Sequence, residues 1–137
     1  MPTFGLFDSV PEDHFKFGYG ASFDAKRVPQ ILNLKNEDVS RLANVSAKSV
    51  RYDDAMPEQV RERLWEIAST MNMVVKAMDG DVDKATAWFL ARNPLLGDTS
   101  PREMIRMGRY ERLRRFIINA MKERSYGAPQ MIASASI

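Results

Sequence analysis

Few residues of this chain could carry catalytic chemistry, and their types exclude most kinds of active site. Among its 137 residues there is no Cys and one His, His14. The missing thiols exclude disulfides, cysteine nucleophiles and cysteine-built zinc or iron–sulfur sites, and a single His leaves no histidine pair for a metal. The sequence also contains no glycine-rich phosphate loop and no Gly-x-Ser-x-Gly motif. We therefore predict no catalytic residues, no metal, no cofactor and no enzymatic activity.

Three aspartates alternate around one glycine at Asp79, Asp81 and Asp83, a pattern that faintly resembles a calcium loop. Such a loop closes with a Glu at its twelfth position, and the twelfth residue counted from Asp79 is Leu90. Asp81 is instead well placed to cap the helix that follows. We expect helix capping at this turn rather than calcium binding.

Basic side chains concentrate in the C-terminal half of the chain. Residues 1–80 carry 10 basic and 12 acidic side chains, a balance of −2, whereas residues 81–137 carry 10 basic and 6 acidic, a balance of +4. A basic surface of this kind could bind nucleic acid or an acidic protein. The alternative is a solvated helix face with no binding role. Most of these charges are arginines for which the sequence shows no structural need: Arg102, Arg106, Arg109, Arg112, Arg114 and Arg115.

A second group of polar residues lies in a segment, 39–52, that has the spacing of a helix-turn-helix. Ser40, Asn44 and Val50 occupy the small, turn and apolar positions of that motif. The second helix would then present four residues to DNA: Ser46, Lys48, Ser49 and Arg51. Residues 35–52 carry four basic and two acidic side chains, so one copy would bind weakly and a dimer is needed. A helical corner with no role in DNA binding is the alternative.

The elements that must position these residues are helical throughout, so we predict an all-α fold. Capping signals and apolar spacing predict a helix from Asn36, a second from Ser46 to Tyr52, a long helix over 57–78, a helix from Asp81 to Asn93, a short helix from Pro101 to Gly108 and a last helix over 109–124. We expect an N-terminal helix-turn-helix-like lobe, the long connecting helix and a C-terminal helical lobe.

The first 27 residues differ from the rest because they are rich in Phe and Gly without helical spacing. Five of the seven Phe lie here: Phe4, Phe7, Phe15, Phe17 and Phe23. We expect an irregular arm, either fraying or packed on the body or on a partner subunit. No apolar run approaches the roughly 18 residues of a membrane span, and the start lacks a signal pattern, so we expect no membrane contact and a cytoplasmic location.

The C-terminal half has five landmarks in a fixed order. They are Trp88 with Phe89, the Asn93-Pro94 break, the Leu96-Gly97 turn, the Ser100-Pro101 helix start and Gly108 before the last helix. Over residues 28–126 the sequence resembles the Xre/MbcA/ParS-like antitoxins, the partners of RES-domain toxins. The order and spacing of all five landmarks carry this resemblance.

This resemblance implies a division of the chain into four parts with separate tasks. Residues 1–27 are the arm, 28–78 the DNA-binding lobe with the long helix, 79–126 the toxin-binding domain and 127–137 a tail. The implied function is an antitoxin of a type II toxin–antitoxin system, which binds an NAD-degrading RES-domain toxin at or near its active site and represses its operon through operator DNA. The predicted toxin contacts are Arg102, Arg106, Arg109, Arg112, Arg115 and Tyr126.

A second function is possible for a chain with these features, and both functions imply a dimer. A stand-alone dimeric helix-turn-helix repressor, whose C-terminal half serves only dimerisation, is the alternative to an antitoxin. In either case we expect a homodimer, within a larger complex for an antitoxin. The long helix 57–78 and the aromatic arm are the predicted dimer interface.

Overall fold

The computed structural model describes residues 12–125, and their regular structure is helical. The α-helices are α1 (Arg27–Leu32), α2 (Asn36–Ala43), α3 (Glu58–Ala77), α4 (Val82–Leu90), α5 (Pro101–Arg106) and α6 (Tyr110–Ser125). Within the described part of the chain there is no strand, only an isolated bridge between Asn93 and Thr99. The all-α prediction is confirmed, whereas Phe4, Phe7, Tyr126 and the tail lie outside the described residues.

Helix α3 is the centre of the core, and it matches the helix predicted over 57–78. Its middle is buried nearly all round, because helices α1, α2, α4 and α6 all pack against it. Leu64, Ile67, Met71 and Val74 are each at most 1% exposed. Burial of one such side chain stabilises the fold by about 1.5–3 kcal/mol.

The core continues without a break from the arm to the last helix. One cluster of buried apolar side chains runs from Phe15 to Ala120 and includes Val39 of α2, Trp88 of α4 and Ile105 of α5. The separation into an N-terminal and a C-terminal lobe is therefore not confirmed. Trp88 is a core residue with 1% exposure.

The described part of the arm, from residue 12 onward, packs on the body of the protein. Phe15 and Phe17 are buried, and their rings stack with centroids 5.3 Å apart. The backbone N–H of Phe15 donates to Asn72 Oδ1 of α3 at 3.0 Å. Asn72 Nδ2 in turn donates to Asp13 Oδ1, and the Asp13 carboxylate accepts the N–H groups of Phe17 and Gly18. One buried amide thus fixes the arm to the central helix.

Several helix ends follow the local chemistry that the sequence predicts. The Asp81 side chain accepts the N–H of Lys84, and Ser100 Oγ accepts the N–H of Glu103, both at 3.0 Å. Asn44 ends α2 in the left-handed conformation, with φ of 58°. These caps replace hydrogen bonds that helix termini otherwise lack.

The predicted second helix of the helix-turn-helix is wrong. Residues Ala47–Ser49 form a single 3-10 turn, and Val50 is already extended. Ser46 Oγ pairs with Ser49 Oγ at 2.8 Å instead of capping a backbone N–H. Val50 is 7% exposed and anchors the chain to the core. So short a segment, without a cap, does not repay the cost of starting an α-helix.

The buried phenol of Tyr110 predicts a loss of stability at alkaline pH. Its hydroxyl pairs with Thr70 Oγ1 at 2.8 Å and donates to the Glu66 carbonyl oxygen. Burial raises the pKa of Tyr110 from 10 to about 12. The fold therefore favours the protonated phenol, and this contribution is intact below pH 10 and is lost as the pH rises towards 12.

We expect the free energy of unfolding to fall by about 2–3 kcal/mol over this interval from Tyr110 alone. Urea unfolding at a series of pH values, compared with Tyr110→Phe, measures the difference. The Phe variant has no phenol to ionise at this position, so its stability should fall less between pH 10 and 12. Parallel curves for the two proteins would contradict the assignment.

Candidate functional site

Arg102 fixes α5 to the end of α1. Its Nε donates to the carbonyl oxygen of Leu32 at 2.6 Å, and its Nη2 donates to that of Asn33 at 2.8 Å. Carbonyl groups at the last turn of a helix have no partner within the helix, and a cation is favoured there. Arg102 therefore acts as a C-terminal cap for a helix 70 residues away in sequence.

Arg106 fixes the other end of α5 to α2 through a buried carboxylate. Asp38 is 3% exposed, and its Oδ2 accepts the Lys35 N–H at 2.9 Å. Asp38 Oδ1 lies 3.4 Å from Arg106 Nε and 3.5 Å from Arg41 Nη1. Arg106 also pairs with Glu103, and Arg41 donates to the backbone carbonyl of Arg106. The Glu103 carboxylate, with a smaller contribution from Asp38, raises the pKa of Arg106.

Arg102 and Arg106 have structural partners that their positions in the sequence do not indicate. The arginines of α5 and α6 are predicted as toxin contacts because the sequence shows no structural need for them. That premise is wrong for Arg102 and Arg106, which join α5 to α1 and α2. Their partners, Leu32 and Asp38, are distant in sequence, so the local spacing of the arginines could not reveal these structural contacts.

A groove with both apolar and polar lining lies where the turn after α4, helix α5 and helix α6 meet. Its volume is about 460 Å³, and its lining residues are Leu95, Leu96, Gly97, Thr99, Met104, Met107, Arg109, Arg112 and Phe116. Leu95 is 52% exposed and Met107 is 56% exposed. Large apolar side chains grouped at the surface commonly mark a binding site.

The turn that forms one wall of this groove is held by Asn93. Its Oδ1 accepts the N–H of Leu95 at 2.9 Å, and its backbone N–H donates to Thr99 O at 3.0 Å. Gly97 has φ of +78°, a conformation that favours glycine. The exposed Leu95 therefore lies on a turn that is ordered before any partner arrives.

Three arginines at the groove and on α6 are available for a partner. Arg109 and Arg112 line the groove, and Arg115 follows Arg112 by three residues on the helix. All three are exposed, and none makes an ion pair with another described residue. Arg114 differs, because it is half-buried and lies 3.8 Å from Glu111. Among the residues that the structure describes, this rim is therefore positively charged and has no carboxylate paired with it.

Sequence reasoning missed Leu95 and Met107, the two most exposed apolar residues of the groove. A signal was available in both cases. Leu95 lies in a turn between Pro94 and Gly97, and Met107 directly precedes Gly108. Apolar residues in such turns have few neighbours to cover them. Their use in one groove depends on how the turn and α6 pack, which the sequence does not show.

The predicted DNA-binding residues lie together on one exposed turn, though not on a helix. Arg51 Nε donates to Asp53 Oδ1 at 2.8 Å, and Nη2 to Oδ2 at 2.5 Å. Ser46 and Ser49 bond to each other. Lys48 is exposed and makes no ion pair within residues 12–125. Of the four, Lys48 is best placed to meet a phosphate.

No protein-family model, curated protein or solved structure matches this chain. None of the helices in residues 12–125 is long and apolar enough to cross a membrane. In the same residues, no group of three His, Asp or Glu side chains is arranged to hold a metal ion. The candidate site therefore rests on the geometry of the groove and its arginines.

Arginines that join helices and arginines that are exposed at the groove should differ in how much they contribute to the free energy of unfolding. Arg102→Ala removes two charged hydrogen bonds to carbonyl groups and should lower the free energy of unfolding by about 1–3 kcal/mol. Arg112→Ala removes an exposed side chain and should change it by less than about 0.5 kcal/mol. Urea unfolding followed by circular dichroism measures both. Equal losses in the free energy of unfolding would contradict the assignment of a structural role to Arg102 and not to Arg112.

Proposed function

We propose that this chain is the antitoxin of a type II toxin–antitoxin system and neutralises a RES-domain, NAD-degrading toxin by binding at or near its active site. The observation that carries the proposal is the groove bordered by Arg109 and Arg112, in which Leu95 and Met107 are exposed. The ordered landmarks of the C-terminal half support the choice of partner, because they resemble those of this antitoxin family. Any NAD chemistry then belongs to the toxin.

The groove has the composition of a surface that recognises protein. Leu95 and Met107 offer apolar contact area that a partner can remove from water. Arginine is favoured at interfaces because its guanidinium binds a carboxylate through two parallel hydrogen bonds. A pocket that binds NAD attracts phosphates and is basic, so it would repel the arginines of this chain. The toxin surface that meets these arginines, at the edge of the pocket, must therefore be acidic. We expect Asp and Glu side chains at the toxin's rim.

The predicted toxin contacts now have different tasks in this proposal. Arg109, Arg112 and Arg115 meet the toxin directly. Arg102 and Arg106 position α5, and through it Met107 and the start of α6. Tyr126 lies outside the described residues and stays a predicted contact.

Coexpression with the product of the neighbouring gene tests the proposal. The wild-type chain should restore growth to cells that express the toxin and should copurify with it. The double reversal Arg109→Glu with Arg112→Glu should weaken binding about a hundredfold or more, since each central arginine contributes at least about 1.4 kcal/mol. Growth rescue should fail in parallel.

A matched control keeps this test specific. Lys76→Glu with Lys122→Glu changes the net charge by the same amount at exposed positions outside the groove. The control should bind and rescue like the wild type. Unchanged binding by the Arg109/Arg112 variant would overturn the groove assignment. A neighbouring gene that encodes no NAD-degrading enzyme would favour the stand-alone repressor.

The proposal includes operator DNA as a second ligand, bound through the exposed turn that carries Lys48. If Lys48 contacts a phosphate, Lys48→Ala should weaken operator binding and reduce the salt dependence by about one unit. Fluorescence anisotropy at several salt concentrations measures both quantities. Growth rescue from the toxin should be unaffected. A loss of both activities would mean that Lys48 supports the fold, and a loss of neither would exclude it as a DNA contact.

A further inference from the structure

The chain carries all of its sulfur in methionine. It has nine Met and no Cys. A thioether sulfur takes up one oxygen atom from a two-electron oxidant such as hydrogen peroxide, and the sulfoxide that forms is polar where the thioether was apolar. Because the chain has no thiol that could react first, its methionines are the sulfur sites at which such an oxidant acts.

Exposure to solvent separates Met107 from the other methionines that the structure describes. Met107, at the end of α5, is 56% exposed. The buried methionines, each at most 7% exposed, are Met71, Met73, Met78 and Met104. Met56 and Met121 are partly buried against the core, and Met1 and Met131 lie outside the described residues. Since the oxidant must reach the sulfur from solvent, Met107 should react before the buried methionines.

The fold uses the backbone of Met107 but leaves its side chain at the surface. Its N–H donates to the Glu103 carbonyl oxygen at 2.9 Å and so completes the last turn of α5. The side chain lines the groove together with Leu95. An oxygen atom on this sulfur therefore meets solvent and the groove, and the helices can keep their packing. Oxidation of Met104 would instead place a polar group within the core cluster.

We propose that Met107 is a reversible oxidation site and that its oxidation by peroxide weakens the binding of a partner in the groove. The effect on binding rests on the proposed function, because the partner is the toxin. The sulfur lone pair attacks one peroxide oxygen, so a sulfur–oxygen bond forms and the oxygen–oxygen bond breaks. The departing hydroxide takes the proton of the transferred oxygen and leaves as water. The sulfur is thereby oxidised by two electrons, and the peroxide is reduced.

The sulfoxide changes the apolar part of the groove and leaves its charges unaltered. Removal of an apolar thioether from water favours binding. A sulfoxide oxygen that is buried without a hydrogen-bond donor opposes binding, because it loses its bonds to water. Met107 and Leu95 are the two most exposed apolar residues of the groove. Oxidation therefore acts on one of its two main apolar contacts, while Arg109 and Arg112 keep their positive charge.

Mass spectrometry of the full chain after a limited dose of hydrogen peroxide tests the oxidation site without any partner. Met107 should gain an oxygen atom at least about tenfold faster than Met104, which lines the same groove but is 4% exposed. Circular dichroism should show intact helices at the dose that oxidises Met107. Equal rates at the two methionines, or a loss of helix that accompanies oxidation of Met107, would overturn the assignment of the site.

Binding of the RES-domain toxin before and after peroxide treatment tests the regulation. Treatment of the wild type should weaken binding by about tenfold or more. Methionine sulfoxide reductases for both sulfoxide epimers, supplied with a dithiol reductant, should restore it. Met107→Leu keeps an apolar side chain of similar volume without the sulfur, so its affinity should be the same before and after treatment. Met56→Leu, a matched change outside the groove, should respond to peroxide like the wild type.

The outcomes separate this inference from the proposed function. A wild-type chain that does not bind the toxin before treatment would contradict the proposed function and the regulation together, while the oxidation rates still decide the site. If the untreated chain binds, an unchanged affinity after oxidation of Met107 would overturn the regulation. A loss of binding by treated Met107→Leu as large as that of the wild type would place the sensitive sulfur at another methionine.

Discussion

The buried carboxylate of Asp38 is the interaction on which the placement of the C-terminal helices depends. A charge at 3% exposure is costly unless hydrogen bonds and opposite charges surround it. Here a backbone N–H, Arg41 and Arg106 provide them, and they come from both α2 and α5. Helix α5 must therefore lie where Arg106 reaches Asp38. Arg102 fixes the same helix to α1, so α5 has little freedom to turn.

This constraint extends to the groove. Met107 and Gly108 directly follow α5, and Arg109 leads into α6. With α5 fixed from both sides, the groove side chains on these elements are positioned by contacts outside the groove itself. The arginines thus divide into two sets, those that hold the scaffold and those that remain charged and exposed at its surface. A groove wall that is already held in place loses little conformational entropy on binding a partner.

The features predicted from the sequence are the ones set by neighbours in the chain. The apolar spacing of α3 and the caps at Asp81 and Ser100 were predictable because they need only nearby residues. The second helix predicted at 46–52 does not form, because the segment is short and has no cap, and Val50 is extended and buried in the shared core. The tasks of Arg102 and Arg106 were also hidden, since their partners Leu32 and Asp38 are distant in sequence. The groove itself exists only once the turn, α5 and α6 have packed.

The groove at α5 and α6 is the proposed binding site for the toxin. Hydrogen–deuterium exchange of the chain, alone and in complex with the RES-domain toxin, tests it most directly. We expect new protection at residues 94–99 and 107–116, with little change at residues 46–51. Protection confined to the face of α3 at residues 58–65, or none in the C-terminal half, would contradict it.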